Sequence, residues 1–209
     1  MITVDSLRQA IAAHLGKELT PEVAAAIEQA AIDRTDRAID PGQFASLEVR
    51  GLSFQVERFE QVLPELLPLH EAHFAETEKH LDGFALRPNY DYMTERERTG
   101  SLLQFTARDT KTGTLVGNIR MYLAYSMHTG TLVATEDTFY LLPAYRRGMA
   151  AIRFWQYMER AVVDVLGARE ICTDSKTVNK VHRLNEYLGY RHVANKYVKT
   201  FPEREACHV

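Results

Sequence analysis

The sequence predicts an α/β (α+β) protein: a mixed, mostly antiparallel sheet with helices on both faces, plus an N-terminal helical arm. Three observations predict it. Two β-rich runs, LLQFTARD and TLVGNIRMYLAY, flank the four-residue turn TKTG with Gly113, which is a hairpin signature. Further on, the strand-like runs TLVATEDTFYLL, REICTDSK and YRHVANKYVKTF alternate with helical patterns, as in βαβ units. The first 45 residues carry helical signals and no strand pattern.

The elements follow in order. Ser6 caps a helix through LRQAIAAHLG, with Gln9 completing a capping box and Gly16 as the stop. Thr20 opens a second helix, with Pro21 in the tolerant first turn and Glu22 at the positive end of the dipole. Its Ala-rich face is narrow, so this arm is expected to dock on the rest of the chain, on a second copy in a homo-oligomer, or on a protein partner. Pro41-Gly42 ends the arm. The divisions expected are an arm and linker over 1–45, a main domain over 46–201 and a polar tail over 202–209. LEVRGLSFQVERF alternates as a strand bent at Gly51, and 60–80 reads as a helix that Pro64 and Pro68 divide into two pieces. The helix over 149–166 ends at Gly167, and a late helix closes at Gly189.

Composition narrows the function. Hydrophobic residues make up 45% and charged residues 25%, as in a folded protein. A net charge of −3 gives no footprint for nucleic acid. No apolar run reaches the length of a membrane span and no signal peptide opens the chain, so a cytoplasmic setting is expected. Cys172 and Cys207 are too few and too distant for a disulfide framework or a zinc knuckle. His70, His73 and His80 share a helical pattern, but no acidic or cysteine partner completes a ligand set, so no metal is expected.

One stretch asks for a ligand. In FYLLPAYRRGMAAIRFW a buried strand runs into a helix through a loop holding Arg146, Arg147 and Gly148. A helix N-terminus offers free N–H groups and a positive dipole end, the arginines add charge, and glycine lets backbone approach closely. The loop therefore points to an anion. No Gly-Lys-Ser/Thr follows, which excludes a Walker-type P-loop.

The element order over 46–201, the run Pro143-Ala144-Tyr145-Arg146-Arg147-Gly148-Met149-Ala150, and the late helix from Asn179 to Leu188-Gly189-Tyr190 together resemble the GNAT N-acetyltransferase superfamily. More narrowly, HLDGFALRPNYDY, FTARD, ATEDTFYLLPAYRRG and YVKTF are similar to a branch found in tailed-phage and prophage genomes. The resemblance implies acetyl-CoA as the anion-bearing co-substrate and an amine as acceptor. By the same resemblance, the pyrophosphate would sit on Arg146, Arg147, Gly148, Met149 and Ala150, with Asn179 nearby, and the backbone of Leu141 and Leu142 would hold the pantetheine arm. His80, Tyr90 and Tyr92 fall where family members wall the acceptor site.

Acetyl transfer to an amine needs a base and then an acid. Glu136 and Asp137 lie on the strand before the loop, where family members place a base. Alternation puts them on opposite faces, so only one is expected to serve: Glu136, with Asp137 in reserve. The other reading is that both pair with basic groups at a strand bulge. The family's acid is a tyrosine in the late helix. Asn185 holds that slot here; Tyr187, about 200° round the helix, is a catalytic candidate that does not simply substitute, so water or another tyrosine (Tyr190, Tyr197 or Tyr140) would protonate the thiolate, or the step is not performed. The helical arm 1–45 and the missing helix tyrosine, with Asn185 in its slot, favour a second reading: a scaffold or interaction protein without catalysis, in a phage particle or against a host protein.

Overall fold

The computed structural model describes residues 4–33, 38–78, 85–176 and 181–199. Helices α1 (Val4–Ala12) and α2 (Pro21–Asp33) pack against each other, with Ala10 and Ala31 fully buried. The Thr20 hydroxyl accepts from the Val23 N–H at 3.3 Å, so the expected cap is in place. Leu7, Ile11, Leu15 and Leu19 remain exposed, in keeping with the arm's narrow apolar face.

Strands β1 (Leu47–Val49) and β2 (Leu52–Glu57) form a hairpin, where the sequence suggested one bent strand. Its turn residues Arg50 and Gly51 have φ of 49° and 85°. Two successive positive φ values make the primed turn that matches strand twist. Glycine adopts that conformation freely, whereas Arg50 carries a side chain there at a cost of about 1 kcal/mol.

Helix α3 (Phe59–Thr77) runs unbroken through Pro64 and Pro68, correcting the division into two pieces. Each proline removes a donor, but the helix buries Phe59, Val62, Leu66 and Leu69 against the sheet. Burial at about 1.5–3 kcal/mol per large side chain outweighs a proline penalty of about 3 kcal/mol. The buried Glu97 carboxylate accepts from the N–H groups of Phe59 (2.6 Å) and Glu60 (3.4 Å), capping the helix from a distance in sequence. Glu97 belongs to α4 (Tyr90–Arg98), a helix the sequence reading did not place; Asn89 caps it by accepting from the Tyr92 N–H at 2.9 Å.

Strands β3 (Leu102–Asp109), β4 (Leu115–Tyr125), β5 (Leu132–Leu141) and β6 (Glu170–Cys172) complete a sheet ordered β1-β2-β3-β4-β5-β6. Every neighbouring pair is antiparallel except β5 with β6. Gly117 allows the β4–β5 approach: a Cβ there would meet Leu141 Cδ1 at 2.6 Å and Tyr140 O at 2.9 Å. Helix α5 (Ala150–Arg160) continues as a π-helical turn over Ala161–Val165, and its Phe154, Trp155, Tyr157 and Met158 fill one face of the sheet. Helices α3 and α4 cover the other face. Helix α6 (Val181–Tyr187) closes at Gly189, φ 87°, with the Tyr190 N–H donating to Asn185 O at 2.9 Å.

The strand expected over YRHVANKYVKTF is absent from the described residues 190–199. Val193, Tyr197 and Val198 are 84%, 89% and 62% exposed, so its alternation has no face to bury and nothing to hold it to a sheet edge. No helix among the described residues is long and apolar enough to cross a membrane.

Candidate functional site

The site begins with a break in a ladder. Arg120 pairs with Thr138 and Met121 with Glu136, so Asp137 is the extra residue of a β-bulge in β5. The bulge interrupts alternation, and Glu136 and Asp137 both line one cleft rather than opposite faces. Just beyond, the sheet splays. Pairing of β5 with β6 ends at Thr135–Cys172, while β5 runs on to Leu141. The cleft, about 250 Å³, opens in this gap between the end of α3 and the segment after β6, with His73, Thr77, Phe139, Thr173 and Lys176 among its walls.

The two acids have different surroundings. Asp137 is held by Arg120, whose Nε and Nη2 lie 2.8 and 2.7 Å away, and by the Thr138 hydroxyl at 3.0 Å. That is the ion pair at a bulge that the sequence left open, for Asp137 alone. Glu136 makes no ion pair among the described residues, although Lys196 lines the same cleft and feels its charge. Its carboxyl accepts from the Thr173 hydroxyl at 3.1 Å and from the Asp174 backbone. Burial, opposed by the Thr173 bond and aided by the charge of Asp137, pushes its pKa up to about 7. A carboxyl poised there can take a proton and return it near neutral pH.

His73 also lines the cleft and sits 5.5 Å from the Tyr140 ring; burial lowers its pKa. His70, one turn away, is buried and pushed down to about 4, first by burial and then by Arg120. Arg120 Nη1 lies 3.3 Å from His70 Nε2 and can only donate, so the imidazole proton sits on Nδ1, 3.2 Å from the Tyr90 hydroxyl. Both ring nitrogens are therefore occupied. Among the described residues no group of three His, Cys, Asp or Glu side chains could hold a metal ion.

The loop between β5 and α5 has the anion-binding features in part. Gly148 has φ 61°, and the N–H groups of Arg147, Gly148 and Met149 meet no acceptor among the described residues. Ala150 packs on the apolar cluster as the first residue of α5. The two arginines differ. Arg147 is exposed with no partner among the described residues. Arg146 stacks over Tyr140 at 5.0 Å, donates to Leu141 O through Nε, and forms a two-toothed pair with Glu76 at 2.6 and 2.7 Å. The backbone of Leu142 is also occupied: its N–H donates to Val116 O at 2.9 Å and its C=O accepts from the Tyr145 N–H at 2.8 Å. By alternation Leu141 directs its backbone groups to the open edge of β5, where Arg146 meets its carbonyl.

The remaining candidates lie elsewhere. Tyr187 is 66% exposed and does not line the cleft. Tyr190 instead ties the C-terminal segment to the core by accepting from Trp155 Nε1 at 2.9 Å. Tyr90 packs α4 on α3 against His70, and Tyr92 is 52% exposed beneath Arg96. His80 and Asn179 lie outside the described residues. Arg120 and Thr173 were not foreseen as partners in the site; the only sequence signal was a lone arginine in an apolar strand.

No family model matches the chain, and no curated protein matches it. Solved structures do. A ribosomal-protein-alanine N-acetyltransferase from Brucella melitensis biovar Abortus 2308 superposes with a TM-score of 0.59 at 16% identity, covering 74% of this chain and 100% of that one. An aminoglycoside acetyltransferase from an uncultured soil metagenomic sample gives 0.57 at 18% identity, covering 73% and 100%. The aminoglycoside N-acetyltransferase AAC(6')-Iy in complex with CoA gives 0.52 at 16% identity, covering 77% and 100%. The fold is that of the GNAT acetyltransferases.

Proposed function

We propose that this chain is an acetyl-CoA-dependent N-acetyltransferase that moves the acetyl group directly to a primary amine. The observation that carries the reading is Glu136: an acid in no ion pair among the described residues, raised to about 7, at the point where β5 and β6 part. In this reading the acyl donor lies along the open edge of β5 with its phosphates at the loop 143–149. Glu136 takes one proton of the acceptor ammonium; the amine nitrogen attacks the thioester carbonyl; the C–N bond forms, the C–S bond breaks, and the nitrogen releases its second excess proton to solvent. The thiolate then receives the proton that Glu136 holds. One carboxyl near neutrality serves both steps, which suits a cleft whose described lining contains no tyrosine.

The likeness to acetyltransferase structures, one of them with CoA, supports the donor assignment. The pair between Arg146 and Glu76 and the placement of Tyr187 favour the second reading, a scaffold with the fold but no turnover. The test is calorimetric titration with acetyl-CoA, followed by thiol release across a panel of small and peptide amines. Amine-dependent release that Glu136→Gln reduces about 100-fold is the expected result. Absence of acetyl-CoA binding would put the scaffold reading first.

A further inference from the structure

The sequence draws attention to Arg146 and Arg147, but the structure brings a different arginine to the loop. Arg50, in the primed turn between β1 and β2, lies nearly 100 residues away in sequence, yet its Nη1 is 3.7 Å from where a Cβ on Gly148 would stand. The turn is anchored beside the loop. The Thr110 N–H donates to Gly51 O at 2.9 Å, and the Tyr145 hydroxyl donates to Asp109 at 3.0 Å. The Arg50 side chain makes no hydrogen bond or ion pair among the described residues, and neither does that of Arg147. One unpaired guanidinium, that of Arg50, thus lies beside a left-handed glycine whose neighbour Arg147 is also unpaired, while Arg146 is fully engaged by Glu76 and Leu141 O. Like charges gathered without a counter-ion, around N–H groups without acceptors, are complementary to a multiply charged anion.

We propose that Arg50 is a phosphate-binding residue of the acyl donor site, holding the phosphate groups of the coenzyme at Gly148. The inference rests on the acyl-CoA reading above and adds a residue from a separate turn. It also accounts for an arginine at a φ of 49°, a conformation that glycine adopts without strain. The guanidinium is needed at that place, although its backbone conformation is unfavourable.

The backbone supplies a clean test, because Arg50→Gly removes the guanidinium and relieves the turn. Wild type, Arg50→Gly and Arg50→Lys are titrated with coenzyme A, and their melting temperatures are compared without ligand. The expected result is a loss of about tenfold or more in coenzyme A affinity for Arg50→Gly, a smaller loss for Arg50→Lys, and a melting temperature for Arg50→Gly at or above wild type. A structural role for Arg50 would lower the melting temperature together with affinity, and that outcome overturns the proposal. Wild-type binding with Arg50→Gly within twofold overturns the proposal and leaves the acyl-CoA reading standing. No binding by wild type overturns both.

Discussion

The two faces of the sheet are built from the same strands and are chemically opposite. Under α5 the strands present Phe54, Val56, Phe105, Ile119 and Met121, all buried and apolar, with Phe54 stacked on Phe154 at 4.9 Å. Under α3 the alternate residues Gln104, Thr106, Asn118, Arg120 and Thr138 are just as buried and polar. The first face derives its free energy from removing apolar surface from water. The second fixes positions: Glu57 binds Arg108, Arg108 reaches Glu65 on α3, and Arg120 joins His70 on α3 to Asp137 at the bulge. One sheet thus carries a stabilising face and a face that aims the acids of the cleft.

The contrast is tested most severely by Phe54→Ala. Deleting a fully buried ring is expected to cost about 3–5 kcal/mol by denaturant unfolding, while acetyl-CoA affinity of the folded fraction stays unchanged. A stability loss below 1 kcal/mol would mean that the α5 face is not the main source of stability.

Glu136→Gln should act the other way, with an activity loss of about 100-fold and a changed pH dependence. The folded pKa of Glu136, about 7, lies above its ordinary value of 4.5, so the folded chain holds a proton that the unfolded chain releases. This contribution to stability is present below about pH 4.5 and is lost as pH rises towards about 7. Activity that needs the carboxylate rises over the same range, about tenfold per unit on the acid side. Unfolding free energies between pH 5 and 8 should show the decline in wild type and not in Glu136→Gln; identical curves would remove Glu136 as the titrating group.

Arg120→Met addresses the polar face directly. The methionine fills similar space but releases Asp137, whose side chain is 31% exposed and stays partly solvated, so about 2 kcal/mol is the expected cost. The sharper readout is His70. Burial is the first cause of its low pKa and Arg120 the second, so the variant's imidazole should titrate above the wild-type value of about 4 in an NMR series. An unmoved titration would deny the link between α3 and the bulge.

The difference between the faces also explains what could be read in advance. The hairpin of β3 and β4, the helix after the loop and the mixed sheet follow from period and turn residues, and the α5 face is legible because apolar alternation has one meaning. The bulge at Asp137 is not legible, because Glu136-Asp137 reads identically with or without an extra residue in the ladder. Arg146 and Arg147 are adjacent in sequence with opposite environments, since Glu76 lies 70 residues away. Arg50 looked like an ordinary strand residue, and only the tertiary arrangement places it by Gly148. Helix α4 escaped notice because six of its nine residues, YDYMTERER, are polar or charged, the others being two tyrosines and a methionine, and its tie to the core is the carboxylate of Glu97.

The smallest expected effect has a sign that distinguishes positioning from packing. Asn118 is fully buried opposite Thr106 and Tyr140, and neither end of its amide finds a hydrogen-bond partner among the described residues. A buried amide without partners destabilises the fold, so a similarly sized apolar residue should do better. Asn118→Leu is expected to stabilise by about 1 kcal/mol, a rise of about 2–4 °C in melting temperature for a chain of this size. If the α3 face positions the site through His70, Arg120 and Asp137, the substitution should leave coenzyme A affinity and the pH profile unchanged. A lower melting temperature would instead make Asn118 a working member of the polar row, and the row would then contribute to stability as well as to geometry.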